Sequence, residues 1–312
     1  MPPRSASTDA LIRRATQGRV RLLTDEDTPA LAALAARDAV VNVHAQALLE
    51  VGRLAGPRGT SRDATGFLGV SAESDAGPGA PLRSAAWVGS TVVPLAGHDD
   101  DGPALGAAVA SLRRRLASVY GPAPTVLAVG RALREAGQRP RAVRPDQPLL
   151  VAPALGEAPD APEPSADVVV ARPEHLDRVL PASAAMFEEE LGFSPFLTGA
   201  AQYTDRVRRL VADGRVFVDL DDTPGRDPWA PLRFKADIGV LSRACAQIQG
   251  VWMRPQDRGR GLAAPAMAAV VELARRRAPA VSLYVNAFNT PALRTYRRVG
   301  FTRHTTFATV LF

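Results

Sequence analysis

The stretch that decides the fold is residues 247–263, QIQGVWMRPQDRGRGLA. The mainly apolar run at 248–253 predicts a β-strand that ends at Arg254-Pro255. A turn of glycine and arginine follows, and the Ala/Val/Leu-rich segment 262–277 predicts a helix. Glycines in such a turn let a ligand approach the backbone, and the first N–H groups of a helix have no partner inside it. With the helix dipole behind them, these donors form an anion site, usually for phosphate.

One interpretation of this site is dinucleotide binding. Residues 259–264, GRGLAA, fit the pattern G-x-G-x-x-A, which carries little weight by itself. A dinucleotide site also needs an acidic residue about 20 residues further on, at the end of the next strand, to bind the ribose hydroxyls. The next predicted strand, 281–285, ends at Asn286 with no Asp or Glu nearby. An oxidoreductase that binds NAD(P) therefore stays open only as the weaker alternative.

The second interpretation rests on two motifs. Residues 258–263 have the form R-x-x-G-x-A and closely resemble the pyrophosphate loop of the GNAT superfamily of acyl-CoA-dependent N-acyltransferases. Residues 284–301, YVNAFNTPALRTYRRVGF, resemble the second signature of that superfamily, N-x-x-A-x-x-x-Y followed by G-F. Two motifs in this order and spacing are specific enough to indicate the superfamily. The resemblance covers residues 167–312 and implies a mixed α/β sheet with a strand–helix–strand–helix end.

The resemblance implies an acetyl-CoA-dependent N-acetyltransferase, in which an amine attacks the thioester directly while both substrates share one site. Backbone N–H groups of a strand would polarise the thioester carbonyl, and Tyr296 would donate a proton to the leaving thiolate unless it is only a core aromatic residue. Asn289 is either a helix cap or a contact to acetyl-CoA. The implied binding residues are Val251, Trp252, Met253, Arg258, Gly259, Arg260, Gly261, Leu262, Ala263, Asn286, Asn289 and Tyr296.

The general base is where the sequence departs from the superfamily. Many relatives carry a glutamate at the position of Gln249, and a glutamine cannot accept the proton. The resemblance implies that Glu188, Glu189 and Glu190, in the acidic stretch over the acceptor site, are the substitutes. Each of them is equally well explained as part of a solvated helix end.

Composition limits the other possibilities. The chain has 312 residues, 46% of them hydrophobic, and a formal net charge of +6 that comes almost wholly from dispersed arginines. The clusters at 113–115 and 275–277 are predicted at helix ends, where cations are favoured, so no nucleic-acid partner is expected. A lone Cys245 and four scattered histidines predict neither a disulfide framework nor a metal site. Without a signal sequence or a run of about 18 apolar residues, we expect a cytoplasmic protein with no membrane partner.

The chain divides into four predicted parts. Residues 1–18 are predicted as a disordered tail, and 153–166 as a stiff linker rich in proline and alanine. Residues 167–312 are the predicted acetyltransferase domain. Residues 19–152 are predicted as a degenerate GNAT-like domain of unknown function, because their element order loosely repeats the later half without a phosphate loop. The whole resembles a two-domain GNAT subfamily whose N-terminal domain has no known function.

Two questions stay open at this level. A domain that binds acyl-CoA without catalysis, as a sensor or scaffold, would also explain the glutamine at position 249. The acceptor, a small molecule or a protein amine, is set by loops such as 187–198, whose specificity a sequence does not reveal.

Overall fold

The computed structural model describes residues 4–59, 65–73, 77–154, 157, 160–192, 194–221 and 232–312. They form two compact units, one made of residues 1–149 with 304–312 and the other of residues 150–303. Among the described residues, no helix is long and apolar enough to cross a membrane.

The first unit is a sheet with helices packed on it. Its helices are α1 (Arg4–Thr16), α2 (Thr28–Ala36), α3 (Val43–Glu50), α4 (Gly102–Ser111) and α5 (Ala123–Glu135). Its strands are β1 (Arg21–Leu22), β2 (Gly66–Ser71), β3 (Leu82–Val88), β4 (Thr91–Pro94), β5 (Ser118–Pro122) and most of β6 (Ala142–Val151). The strands from β1 to β4 are antiparallel neighbours, and β4 pairs with β5 in parallel.

The second unit starts at Leu150, and its described residues form four α-helices. These are α6 (Leu176–Leu191), α7 (Phe196–Ala212), α8 (Ala263–Arg275) and α9 (Thr290–Arg298). The strands are β7 (Val168–Val170), β8 (Val216–Leu220), β9 (Leu232–Leu241), β10 (Cys245–Met253) and β11 (Ala280–Tyr284). The strands from β7 to β10 are antiparallel, and β10 pairs with β11 in parallel. This is the mixed α/β sheet that the sequence predicts.

Alternate side chains of strand β9 point to opposite faces of this second sheet. Phe234, Ala236 and Ile238 alternate along it and join the core under α8 and α9. Lys235 and Asp237 therefore point to the opposite face, where α6 and α7 pack. Strands β8 and β9 form an antiparallel pair, and the loop 222–231 between them lies outside the described residues.

The same order of elements occurs twice along the chain. From β1 to β6 and from β7 to β12 (Thr302–Leu311), a strand leads to two helices, three strands, a helix, a strand, a helix and a strand. The prediction that the N-terminal half repeats a GNAT-like order is therefore confirmed.

Two predictions about the chain ends are wrong. Of the predicted disordered tail 1–18, residues 4–16 form α1, which packs against α4; Ile12 is fully buried, and Asp9 accepts a hydrogen bond of 2.8 Å from the N–H of Leu22. The predicted domain 167–312 also runs too far, because residues 304–312 belong to the first unit. There β12 pairs antiparallel with β5, from Phe307 opposite Pro122 to Leu311 opposite Ser118.

The predicted linker 153–166 falls within the second unit, which starts at Leu150. The N–H of Ala152 donates to the carbonyl of Val281 at 2.9 Å, and that of Ser165 donates to Pro265 at 3.0 Å. The residue just before the segment and a residue near its end are thus held by backbone hydrogen bonds. Residues 155–156 and 158–159 lie outside the described part of the chain.

Candidate active site

The two parallel strands of the second unit separate halfway along their length. The pairing of β10 with β11 runs from Cys245 opposite Ala280 to Ile248 opposite Leu283, and no later pair joins them in the described structure. Strand β10 nevertheless continues to Met253. The backbone of 251–253, which the sequence predicts as the oxyanion donors, therefore lies where β11 no longer covers it.

A β-bulge sits at this point of separation. The register between β10 and β9 shifts between Gln249 and Trp252, and Gly250 has a φ of 62°, a conformation that glycine adopts without strain. The Gly250 carbonyl accepts a hydrogen bond of 3.0 Å from Nζ of Lys235. Since Val251 follows directly, the bulge determines the direction of the first predicted oxyanion donor.

The loop between β10 and α8 has the geometry of an anion site. Gly259 and Gly261 have φ values of 75° and 80°, and a Cβ atom on either would meet nothing within 4 Å. No hydrogen bond engages the backbone N–H groups of residues 259–262 among the described residues. Open space and unpaired donors at the start of a helix fit a pyrophosphate group.

A buried ion network fixes the start of this loop. Arg254 is almost fully buried and donates to Asp257 at 2.6 Å and to Asp221 at 2.8 Å. Arg260 lies on the surface and donates to the other oxygen of Asp257, also at 2.8 Å. Because the Arg260 side chain is paired in this way, the backbone of the loop offers the unpaired donors for an anion.

The predicted residues Arg258 and Glu189 meet in a second ion pair. One Arg258 nitrogen donates to both carboxylate oxygens of Glu189 at 2.8 Å, and its Nε donates to the Met253 carbonyl at 2.9 Å. The indole nitrogen of Trp252 lies 3.4 Å from the same carboxylate. Glu189 is thus already neutralised by a cation, while Glu188 is exposed on the surface of α6.

Tyr296 lies on α9, and only 6% of it is exposed. Its ring centroid is 5.8 Å from that of Phe301, so it is both a core aromatic residue and a site candidate. Burial raises the pKa of the Tyr296 hydroxyl, and the negative charge of Glu190 raises it further. The hydroxyl therefore stays protonated at neutral pH, so it is a hydrogen-bond donor and not a base, and the raised pKa makes it a weaker acid than a free phenol.

The two asparagines of the second motif support α9. Oδ1 of Asn289 accepts from the N–H of Ala292 at 3.2 Å, so Asn289 is the N-cap. Thr290 is then the first helical residue. The carbonyl of Asn286 accepts from the N–H of Asn289 at 2.9 Å.

A buried ion pair beside the bulge was missed at the sequence level. Nζ of Lys235 donates to Oδ2 of Asp237 at 2.8 Å, and both side chains are at least nine-tenths buried. Burial raises the pKa of the Asp237 carboxyl in spite of the adjacent Lys235. Two ionisable residues that alternate within an otherwise apolar strand, one of them the only lysine of the chain, were the available signal.

Aromatic side chains from α6 and α7 cover the same face of the sheet. Tyr203 packs its ring edge-on against Phe187 and Phe196, with centroids 5.6 and 5.9 Å apart. Burial, with the charge of Asp237, raises the pKa of Tyr203 to about 12. This face of the sheet thus combines the buried Asp237 carboxylate with apolar side chains.

Comparison with known families agrees with this geometry. Residues 215–301 match the profile of the acetyltransferase (GNAT) family, and residues 74–179 match a domain of unknown function, DUF4081. No curated protein matches the chain.

Solved structures with the same fold cover nearly the whole chain. A GCN5-related N-acetyltransferase from Sphaerobacter thermophilus is 19% identical, with a TM-score of 0.55 over 93% of this chain and 94% of its own. A tandem GNAT protein from the clavulanic acid biosynthesis pathway is 16% identical, with a TM-score of 0.51 over 91% and 94%. A Drosophila protein is 16% identical, with a TM-score of 0.60 over 95% and 99%. At these identities the likeness concerns the fold.

The chain therefore has the GNAT fold, with the same order of elements occurring twice, and its residues 215–301 match the model of the acetyltransferase (GNAT) family.

Proposed function

We propose that the protein is an acetyl-CoA-dependent N-acetyltransferase that transfers an acetyl group to an amine by direct attack. The observation that carries this proposal is the separation of β10 from β11 next to a two-glycine loop with unpaired N–H groups. Such a loop suits the pyrophosphate of acetyl-CoA. The separation of the two strands provides space for the arm of the cofactor that joins the pyrophosphate to the thioester.

In this proposal different residues of the second unit bind different parts of acetyl-CoA. The backbone of 259–263 holds the pyrophosphate, and the N–H groups of 251–253 polarise the thioester carbonyl. Arg258 joins the anion site, with Glu189 as its present partner. The acceptor enters from the face covered by α6 and α7.

The chemistry is a transfer between two bound substrates. Acetyl-CoA supplies an activated acetyl group. The protein holds the amine against it, which removes much of the entropic cost of the encounter. A base takes one proton from the bound ammonium, the C–N bond forms, and the C–S bond breaks. Tyr296 donates a proton to the departing sulfur and recovers one from the newly acylated nitrogen, so one proton in total is released to solvent.

The test is an acceptor screen with the purified full-length chain. Acetyl-CoA is mixed with a panel of amino acids, polyamines, aminoglycosides and amine-bearing peptides, and free CoA is measured with a thiol reagent. Release of CoA that depends on an amine supports the proposal. Calorimetric binding of acetyl-CoA without turnover of any amine would instead favour a sensor or scaffold. Binding of NAD(P) but not of CoA would favour the dinucleotide interpretation.

A further inference from the structure

The site lacks a carboxylate at the position where many relatives have one, but another carboxylate lies beside that position. Gln249 is neutral, and its Cα partner in the neighbouring strand is Asp237. The Gln249 side chain folds over Gly239, where a Cβ atom would overlap it. On the side of the sheet where α7 packs, Asp237 thus lies next to the neutral Gln249.

The Asp237 carboxylate is in contact with the bulge. A Cβ atom on Gly250 would lie 2.5 Å from Oδ2 of Asp237 and 3.1 Å from Nζ of Lys235. The absence of a side chain at Gly250 therefore lets the carboxylate reach the backbone just before Val251. This is the point where the thioester carbonyl must lie if 251–253 supply the oxyanion donors.

Half of the hydrogen-bonding capacity of this carboxylate is unused. Oδ2 accepts from Lys235, whereas Oδ1 is buried and has no hydrogen-bond partner among the described residues. A buried acceptor without a donor is costly, and a protein interior usually satisfies it. A bound ammonium group would supply the missing donor.

We infer that Asp237 binds the ammonium group of the acceptor through Oδ1 and accepts its proton, as the general base that Gln249 cannot be. This inference rests on the proposed function. The proton moves from the acceptor nitrogen to Asp237, which frees the nitrogen lone pair to form the C–N bond as the C–S bond breaks. Asp237 afterwards releases that proton to solvent.

The three glutamates of α6 are less suited to this role. Glu189 is paired with Arg258, and Glu188 and Glu190 are exposed on α6. Asp237 alone among these carboxylates is both buried and adjacent to the bulge.

The charged and titratable groups that face Asp237 set the pH at which it works. Lys235 lies on its own strand, and Tyr203 and Arg206 lie on α7. The two cations favour the ionised carboxylate, but burial outweighs them and raises the pKa of Asp237. Because a base must be deprotonated, the rate should fall as pH drops through this raised pKa, at a higher pH than for an exposed aspartate.

The test is Asp237→Asn, assayed across pH with the best amine from the acceptor screen. We expect kcat at neutral pH to fall about a hundredfold or more, while the affinity for acetyl-CoA stays unchanged. The deficit should shrink as pH rises, because the amine then loses its proton without help. Asp205→Asn, the same change at an exposed position of α7, is the matched control and should keep full activity.

Asparagine at 237 leaves Lys235 as an unpaired buried charge, which can prevent folding. In that case the double variant Lys235→Met/Asp237→Asn removes both charges and should give a folded protein with the same deficit and the same pH dependence. Full activity in either folded variant, or a deficit that is equal at every pH, overturns the inference. A wild-type chain that binds acetyl-CoA but acetylates no amine refutes the proposed function itself, and the inference with it.

Discussion

At the scale of single residues, Tyr296 shows how one position can serve both core and chemistry. It lies in the cluster under α8 and α9, and its environment keeps the hydroxyl protonated. Removing only the oxygen therefore separates the two roles, since phenylalanine keeps the ring and its packing.

We expect Tyr296→Phe to fold normally and to bind acetyl-CoA as the wild type does, with kcat lower by about ten- to a thousandfold. Steady-state kinetics with the best acceptor measures this. Tyr120→Phe, which removes one hydroxyl in the first unit, is the matched control and should keep kcat. A Tyr296→Phe variant with full kcat would leave Tyr296 with a packing role only.

The bulge glycine gives a second prediction at this scale. Gly250→Ala combines a positive φ with a Cβ atom 2.5 Å from Oδ2 of Asp237, so we expect a loss of stability of about 1–3 kcal/mol. Gly259→Ala has a similar φ of 75° but open space around its Cβ, and should lose less. Urea unfolding of both variants gives the comparison. Equal losses of stability in the two variants would mean that a Cβ atom at position 250 does not clash with the Asp237 side chain.

At the scale of elements, the loop before α8 is fixed by a buried ion network at its start and has open space beside its glycines. The ion network of Arg254, Asp257 and Asp221 is buried, whereas the two glycines have no neighbours where a Cβ would stand. A rigid loop with open space beside its N–H groups favours the close approach of an anion, because the donors need no reorganisation on binding.

Gly261→Val should therefore weaken acetyl-CoA binding at least about tenfold, since a branched side chain would fill the space needed by the pyrophosphate. Isothermal titration measures the affinity. Gly137→Val, at a turn of the first unit with a φ of 90° and equally open surroundings, repeats the backbone strain away from the site. Unchanged affinity in a folded Gly261→Val protein removes the loop from the cofactor site.

At the scale of the whole molecule, the two repeats differ at the position of the phosphate loop. Where the second repeat has 258–263, the first has Asp99, Asp100 and Asp101 ahead of α4, followed by Gly102-Pro103. Carboxylates at a helix start repel phosphate, and Pro103 lacks an N–H. Asp101 is also already engaged, by Arg83 at 2.9 Å and Ser84 at 2.7 Å.

One chain should therefore bind one acetyl-CoA. Titration of the full-length protein should give a stoichiometry near one. A value near two would mean that the first repeat binds the cofactor by another arrangement than the glycine loop.

The placement of the last strand can be tested inside the first unit. A Cβ atom on Gly130 of α5 would lie 2.9 Å from a methyl group of Val310 on β12, so Gly130→Ala should destabilise the protein by about 1–3 kcal/mol. Val310→Ala should relieve that crowding. The double variant should then be more stable than the sum of the single losses predicts, by about 0.5–3 kcal/mol. Additive losses in unfolding experiments would contradict the contact between β12 and α5.

The sequence by itself determined the parts of this protein that depend on neighbouring residues. The strand, the two-glycine turn and the start of α8 lie within one short stretch, and the second motif carries α9 and Tyr296. Their conformations follow from local backbone preferences and hydrophobic periodicity, which are written in consecutive residues. The repeated order of elements was visible for the same reason.

Only the tertiary structure decided which distant segments meet. Nothing local in 304–312 specifies β5 as the partner of β12, since exposed strand edges offer similar hydrogen bonds and packing makes the choice. Helix α1 has a polar sequence, and its packing partner α4 is distant in the chain. The importance of Asp237 likewise appears only when folding buries it beside Lys235 and Gly250, because burial and neighbouring charge, not residue type, set the chemistry of a carboxylate.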